Sequence, residues 1–174
     1  MLSGIIVATP NYSHAVYAGS FDPITLGHTA IVERAAKLYD KITVAIGINV
    51  NKSPLFSAEQ RLEMTKETLV HLKNVEVRIF EGLLVDYANT IGAGIILRGL
   101  RMLTDFELEF QLALANRDLN SNIETVFLMA NQEHVFVSSS LIKEIASNGG
   151  SYERYVSGPV RRFMEAKLAQ TSAP

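Results

Sequence analysis

Five short apolar runs recur along this chain with helix-length stretches between them: "AVYAG" (15–19), "KITVAIGI" (41–48), "VEVRIF" (75–80), "GIILRG" (94–99) and "ETVFLMA" (124–130). "VEVRIF" alternates, but the others are apolar at consecutive positions, the pattern of strands covered on both faces. The stretches between them carry helical signals. Residues 28–39 set Ile31, Ala35 and Leu38 at helical spacing. Residues 57–72 open with a capping box, Ser57 and Gln60, and carry Leu62, Leu69 and Leu72 on one stripe with Met64 nearby. Residues 83–92 stop at a glycine, and 104–119 offer Thr104 as N-cap with Glu107 behind it. Residues 138–150 read as a capped helix ending at glycine, and Pro159 sits in the first turn of a last one. Connections this long allow right-handed crossovers. The expectation is therefore an α/β chain, one doubly wound five-stranded parallel sheet with helices on both faces. The domain is expected over residues 14–170, after an extra arm or remnant at 1–13 and before a fraying tail at 171–174.

Bulk properties narrow the function classes. At 174 residues, 48% apolar and 20% charged, the chain is long enough for one full core. A net charge of −2 argues against a general nucleic-acid surface, so an anionic ligand has to be met by a local cluster of cations. The chain contains no cysteine, which excludes disulfides and thiolate chemistry and suits the cytoplasm. No apolar run is long enough for a membrane helix, and the N-terminus lacks the basic region of a signal peptide.

In open parallel sheets ligands sit beyond the carboxyl ends of the strands. After the first run come Gly19, Ser20, Phe21, Asp22-Pro23, Gly27 and His28; after the second, Lys52; after the fourth, Arg98 and Arg101; after the fifth, "NQEHVFVSSS" and a helix start. One histidine, one lysine, two arginines and two helix N-termini thus fall at one edge, an arrangement suited to several phosphates. Gly19 would let backbone approach a ligand closely, with Gly27 in a similar role, and His28 would add a ring N–H to a helix N-terminus that already favours anions. Each residue also has a plainer reading. His28 alone could be a cap, Lys52 a solvated lysine, "RGLR" two surface arginines and "SSS" only an N-cap. Asp22-Pro23 reads as turn chemistry rather than a catalytic acid, and His14 and His71 as surface residues.

"AGSFDPITLGH" resembles the G-T/S-F-D-P-x-x-x-G-H signature of the bacterial phosphopantetheine adenylyltransferases, nucleotidyltransferases with a T/H-x-G-H motif. "ILRGLR", "DFELEFQLALANRDL" and "FVSSSLIKEIA" resemble the same family at similar spacing, so the likeness runs from about Val16 to Leu168. The resemblance implies a Rossmann-like fold and transfer of AMP from ATP to 4′-phosphopantetheine, giving dephospho-CoA and pyrophosphate. It also implies Mg²⁺ accompanying the nucleotide with no dedicated protein metal site, a homohexamer, and feedback inhibition by coenzyme A. It implies roles for residues as well. His28 stabilises the transition state, and Lys52 and Arg98 hold the acceptor phosphate. Ser20 contacts the acceptor near the nucleotide, and Leu84 lines the pantetheine arm. Phe21, Gly99, Leu100, Arg101, Glu109 and the stretch His134, Val135, Phe136, Val137, Ser138, Ser139 and Ser140 belong with ATP. Three positions depart from the commoner pattern: Ser20 for threonine, Leu26 for a polar residue and His134 for tryptophan. Other readings are a sister nucleotidyltransferase using nicotinamide mononucleotide or glycerol phosphate, a non-catalytic nucleotide sensor, and a plain interaction domain.

Overall fold

The computed structural model describes residues 9–48 and 53–171. Five strands form one sheet in the order β3-β2-β1-β4-β5, with every neighbouring pair parallel. They are β1 (Asn11–Gly19), β2 (Lys41–Gly47), β3 (Val75–Phe80), β4 (Ala93–Leu100) and β5 (Glu124–Met129). Each is followed by a helix: α1 (Leu26–Ala35), α2 (Ala58–Thr68), α3 (Leu84–Thr90), α4 (Leu103–Leu119) and α5 (Ser139–Ser147), with α6 (Gly158–Thr171) last. The strand order reverses beside β1: the chain winds outward through β2 and β3, then returns to β4 on the other side. The expected α/β, doubly wound architecture is thus present, and the carboxyl ends of the paired strands β1 and β4 mark its switch point.

The consecutive apolar residues of the central strands serve two cores. Ala15 and Tyr17 of β1, Ile42, Val44 and Ile46 of β2 and Leu97 of β4 face the larger core, with Val32 of α1, Met64 of α2, Ile142 of α5 and Met164 of α6. Val16, Ala18, Ala45 and Ile96 face the smaller one, closed by Val85 and Ala88 of α3 and by Ile123. Cross-strand register holds the set in line, Ala15 against Ile42 on one side and Val16 against Ile96 on the other.

Several boundaries differ from the sequence reading. β1 begins at Asn11, so residues 11–13 belong to the sheet rather than to an arm. The polar "NYS" hid this start, but the Asn11 amide donates to the Gly92 carbonyl at 3.1 Å, and β1 is irregular between Asn11 and Ala15. α1 ends at Ala35, which leaves Leu38 exposed (65%) instead of on the core stripe. The N-cap of α4 is the extended Met102 and not Thr104. Ser57 and Gln60 do form the capping box of α2.

His14 is not a surface residue: it is 3% exposed, inside β1. The Thr43 hydroxyl donates to Glu76 at 2.8 Å, so it accepts from His14 Nε2 at 2.8 Å. Burial pulls the His14 pKa below its usual 6.5, with Lys41 and Arg78 adding to the effect and Glu76 and a hydrogen bond to the Ile91 backbone opposing it. An unfolded chain takes up the proton near 6.5 and the folded one does not, so stability is full above that pH and declines as pH falls below it. The urea midpoint should drop between neutral pH and about pH 5, and His14→Gln should flatten that part of the curve. An unchanged slope in the variant would rule out His14 as its source. His71, in contrast, sits at the surface, with its side chain half exposed and Nε2 3.0 Å from Glu33.

Candidate active site

The carboxyl ends of β1 and β4 open a cavity of about 280 Å³ at the switch point. Its walls include Tyr17, Gly19, Ser20, Phe21, His28, Arg98, Gly99, Arg101, Glu109, His134, Val137 and Ser138 to Ser140. Residues far apart in the sequence are gathered because parallel strands deliver all their carboxyl ends to the same edge.

The loop after β1 shapes one wall. Phe21 is buried with φ of +45°, a left-handed conformation costly for a bulky side chain. Its ring meets Tyr17 edge-on at 5.5 Å and His28 at 5.2 Å. A Cβ on Gly19 would lie 3.1 Å from that ring. Gly19 therefore makes room for Phe21 rather than for the ligand itself. A Cβ on Gly27 would find only ordinary contacts, 3.5 Å from the His134 carbonyl oxygen, so no close backbone approach is required there.

His28 is the third residue of α1. The Thr25 amide at the N-cap donates to its Nδ1 at 3.1 Å, and Thr25 Oγ1 lies 2.9 Å from the same atom. Nδ1 must then carry the lone pair and Nε2 the proton. Burial, with Arg101 nearby, pulls the His28 pKa down to about 4. At neutral pH the ring is uncharged, held in one tautomer, and brings an N–H to the cavity it lines.

The arginines differ in how free they are. Arg98, near the end of β4, makes a two-point pair with Glu109 of α4, Nε to Oε2 at 2.6 Å and Nη2 to Oε1 at 2.5 Å, and donates from Nη1 to the Ala18 carbonyl at 3.0 Å. Burial disfavours its charge, but Glu109 outweighs that and its pKa rises. Arg101 lies just past β4 and meets Asp105 at 3.2 Å from a more exposed position. The N-terminus of α5 closes the far wall. Ser138 caps it, accepting from the Leu141 amide at 3.1 Å, and the Ser139 hydroxyl donates to the Pro23 carbonyl at 2.8 Å. "SSS" is thus both a cap and part of the cavity wall.

A second cavity, about 240 Å³, shares Arg98 and Glu109 with the first and is lined by Leu83, Leu84, Leu112, Ala113, Asn116 and Thr125. Leu84 lies here, in the company of Arg98 and Glu109 but apart from the other expected site residues. Leu100 is buried, and neither it nor Val135 lines either cavity; Phe136 turns outward, half exposed, with its ring edge-on to Tyr155 at 5.5 Å. Lys52 lies outside the described residues. Sequence reasoning missed Tyr17, Ala18, Thr25, Ile31 and Ala130 as wall residues. Tyr17 looked like one more core strand residue, but its hydroxyl lies 3.4 Å from where a Cβ on the wall residue Gly99 would sit. Burial pushes its pKa up to about 12, so the phenol stays protonated.

Comparison with known proteins now bears on this geometry. The model of the cytidylyltransferase-like family matches residues 16–145. A phosphopantetheine adenylyltransferase of Rhodopirellula baltica is 48% identical over 165 residues, covering 93% of this chain and 92% of its own length. One of Caldanaerobacter subterraneus is 50% identical over 152 residues, covering 87% and 95%. Among solved structures, a bifunctional NMN adenylyltransferase/ADP ribose pyrophosphatase of Francisella tularensis, complexed with AMP and manganese, superposes with a TM-score of 0.67 at 17% identity, over 93% of this chain and 50% of that one. That likeness is one of fold. With its relatives matching along nearly their whole length, the chain belongs to the phosphopantetheine adenylyltransferase family of cytidylyltransferase-like nucleotidyltransferases.

Proposed function

We propose that this protein transfers AMP from ATP to 4′-phosphopantetheine, giving dephospho-CoA and pyrophosphate. Relatives of about half-identical sequence carry the name of this activity. The structural observation in its favour is the meeting of two cavities at the Arg98–Glu109 pair: one rimmed by His28, Arg101 and the α5 N-terminus, the other apolar and lined by Leu84. The first suits a nucleotide triphosphate and the second an extended, mostly uncharged arm ending in a phosphate at Arg98.

An oxygen of the acceptor phosphate attacks the α-phosphorus of ATP, the new P–O bond forms as the bond to the β-phosphate bridging oxygen breaks, and pyrophosphate leaves. The nucleophile is already an anion, so no general base is needed. Alignment and charge neutralisation dominate such transfers. Arg98, with Lys52 as its expected companion, holds the acceptor against the repulsion of the nucleotide. The Nε2–H of His28 donates to the α-phosphate oxygens as charge gathers there. Arg101 and the first amides of α5 receive the β and γ phosphates. Ser20 lines the nucleotide cavity, where its hydroxyl would contact the acceptor phosphate as it approaches. Among the described residues, the cavity's hydroxyls and its single carboxylate, already paired with an arginine, suit Mg²⁺ that would arrive on the nucleotide phosphates and neutralise them.

The exposed apolar residues of α4 lie on two sides of the helix, Phe106, Phe110 and Leu114 on one and Leu108 and Leu112 on the other, all at least 43% exposed; the first three fit burial in the expected homohexamer, and coenzyme A as feedback inhibitor would occupy the acceptor cavity that Leu112 lines. Among the described residues no helix is long and apolar enough to cross a membrane. The deciding experiment follows pyrophosphate release with ATP and 4′-phosphopantetheine, nicotinamide mononucleotide or glycerol phosphate. Turnover with the first alone is the expected result. Turnover only with another acceptor, or ATP binding without turnover, overturns the assignment.

A further inference from the structure

The loop Ser20–Pro23 carries a residue in an unfavourable conformation, Phe21 at φ +45°. Such a conformation persists only where its surroundings over-determine it. Three elements do so here. From α2, Arg61, 4% exposed, donates from Nη1 to the Ser20 carbonyl at 2.7 Å and to the Gly47 carbonyl at the end of β2. From α5, Ser139 bonds the Pro23 carbonyl at 2.8 Å. Between them stands Asp22, 4% exposed and bonded at both oxygens. Oδ1 accepts from the Phe56 amide at 3.0 Å, and Oδ2 accepts from the Leu55 amide at 2.9 Å and from Lys143 Nζ of α5 at 2.7 Å.

We propose that Asp22 is a positioning residue for the transfer reaction. Its carboxylate ties the strained loop at once to the chain leading into α2 and to the helix whose N-terminus closes the cavity, and so holds Phe21 where its ring braces the His28 imidazole. Turn chemistry alone does not explain the residue, because a turn needs neither a charge nor a lysine partner 121 positions away. Nor is Asp22 an acid or base for the reaction: its oxygens are committed to two amides and an ammonium. Among the described residues it joins three segments that meet the cavity wall or adjoin it. A shift of a few tenths of an ångström at this junction moves a donor relative to the α-phosphorus, and misalignment lowers rate more than ground-state binding.

This inference rests on the proposed transfer activity. The test compares parent, Asp22→Asn, Lys143→Met and Lys143→Arg proteins by steady-state pyrophosphate release, with ATP affinity measured separately by calorimetry. Asp22→Asn keeps the volume and one acceptor, but it loses the charged bond to Lys143. The expected result is a fall in kcat of about thirtyfold with the KM and Kd for ATP within threefold. Lys143→Met should lower kcat about tenfold, and Lys143→Arg should restore it to within threefold of the parent. A kcat within threefold of the parent in both Asp22→Asn and Lys143→Met overturns the proposal. So does a loss explained entirely by fewer ATP-binding sites at unchanged turnover per site, the mark of a purely structural role. Should Asp22→Asn fail to fold, the Lys143 pair decides alone. An inactive parent would instead sink the transfer activity itself.

Discussion

His28→Ala should lower kcat for pyrophosphate release by about a hundredfold or more while ATP affinity changes less than about tenfold. The split follows from where the ring sits. In the proposed mode, ground-state ATP would be held by Arg101, the α5 N-terminus and the cavity walls, none of which depends on the imidazole. The Nε2–H is one fixed donor near the place where charge accumulates as the α-phosphorus changes partners, and a preorganised donor there is typically worth about 3–4 kcal/mol. The fixing is done by Thr25, whose amide occupies Nδ1 at 3.1 Å. With its pKa held at about 4, the ring is not an imidazolium at neutral pH, so its contribution is a directed dipole rather than a charge. The kcat/KM profile of the parent should therefore show no His28 limb at the ordinary imidazole value. A limb near pH 6 would belong to the acceptor phosphate's own second ionisation and should persist in His28→Ala. Turnover within a few-fold of the parent, or an equal loss in ATP binding, would remove His28 from this role.

What could be read from sequence, and what could not, divides along physical lines. The strands β2 and β4 were legible because a strand buried on both faces must be apolar at consecutive positions, the edge strand β3 because "VEVRIF" alternates, and β5 as one more short apolar run. The start of β1 was not: "NYS" is polar, and its place in the sheet comes from pairing with the Gly92–Ala93 region, a contact across the chain. That miss also misplaced His14, since a histidine ahead of a strand looks solvated and one inside it is not. The site edge was legible because topology alone puts His28, Arg98, Arg101 and Ser138 at one rim. The commitments of side chains within the rim were not. Nothing in "RGLR" or "DFELEF" says that Arg98 already spends two N–H bonds on Glu109. Nothing in "FDP" says that the aspartate is bonded to Leu55, Phe56 and Lys143. Spacing shows which residues share an edge, and only packing shows which of them already have partners.

That last distinction gives Arg98 a double function and a specific expected result. Arg98 is three-quarters buried at its side chain, Glu109 more so, and the guanidinium spends Nε and Nη2 on the carboxylate and Nη1 on the Ala18 carbonyl. It can still offer N–H donors, since an arginine carries five, and the pair as a whole presents a fixed fork at the junction of the two cavities. Arg98→Met should raise the apparent KM for 4′-phosphopantetheine about a hundredfold and the KM for ATP by less than about tenfold. Two losses combine in that number. The acceptor phosphate loses its charged donors, and the Glu109 carboxylate, left buried without its partner, now repels it. The double variant Arg98→Met/Glu109→Gln separates them: removing the orphaned charge should recover about tenfold of the acceptor KM, while the donor loss remains. Initial rates at varied acceptor concentration check both steps. An equal rise in both KM values for Arg98→Met would place the arginine on the nucleotide instead, and a double variant no better than the single would show that Glu109 gains its partner from another cation in the rim.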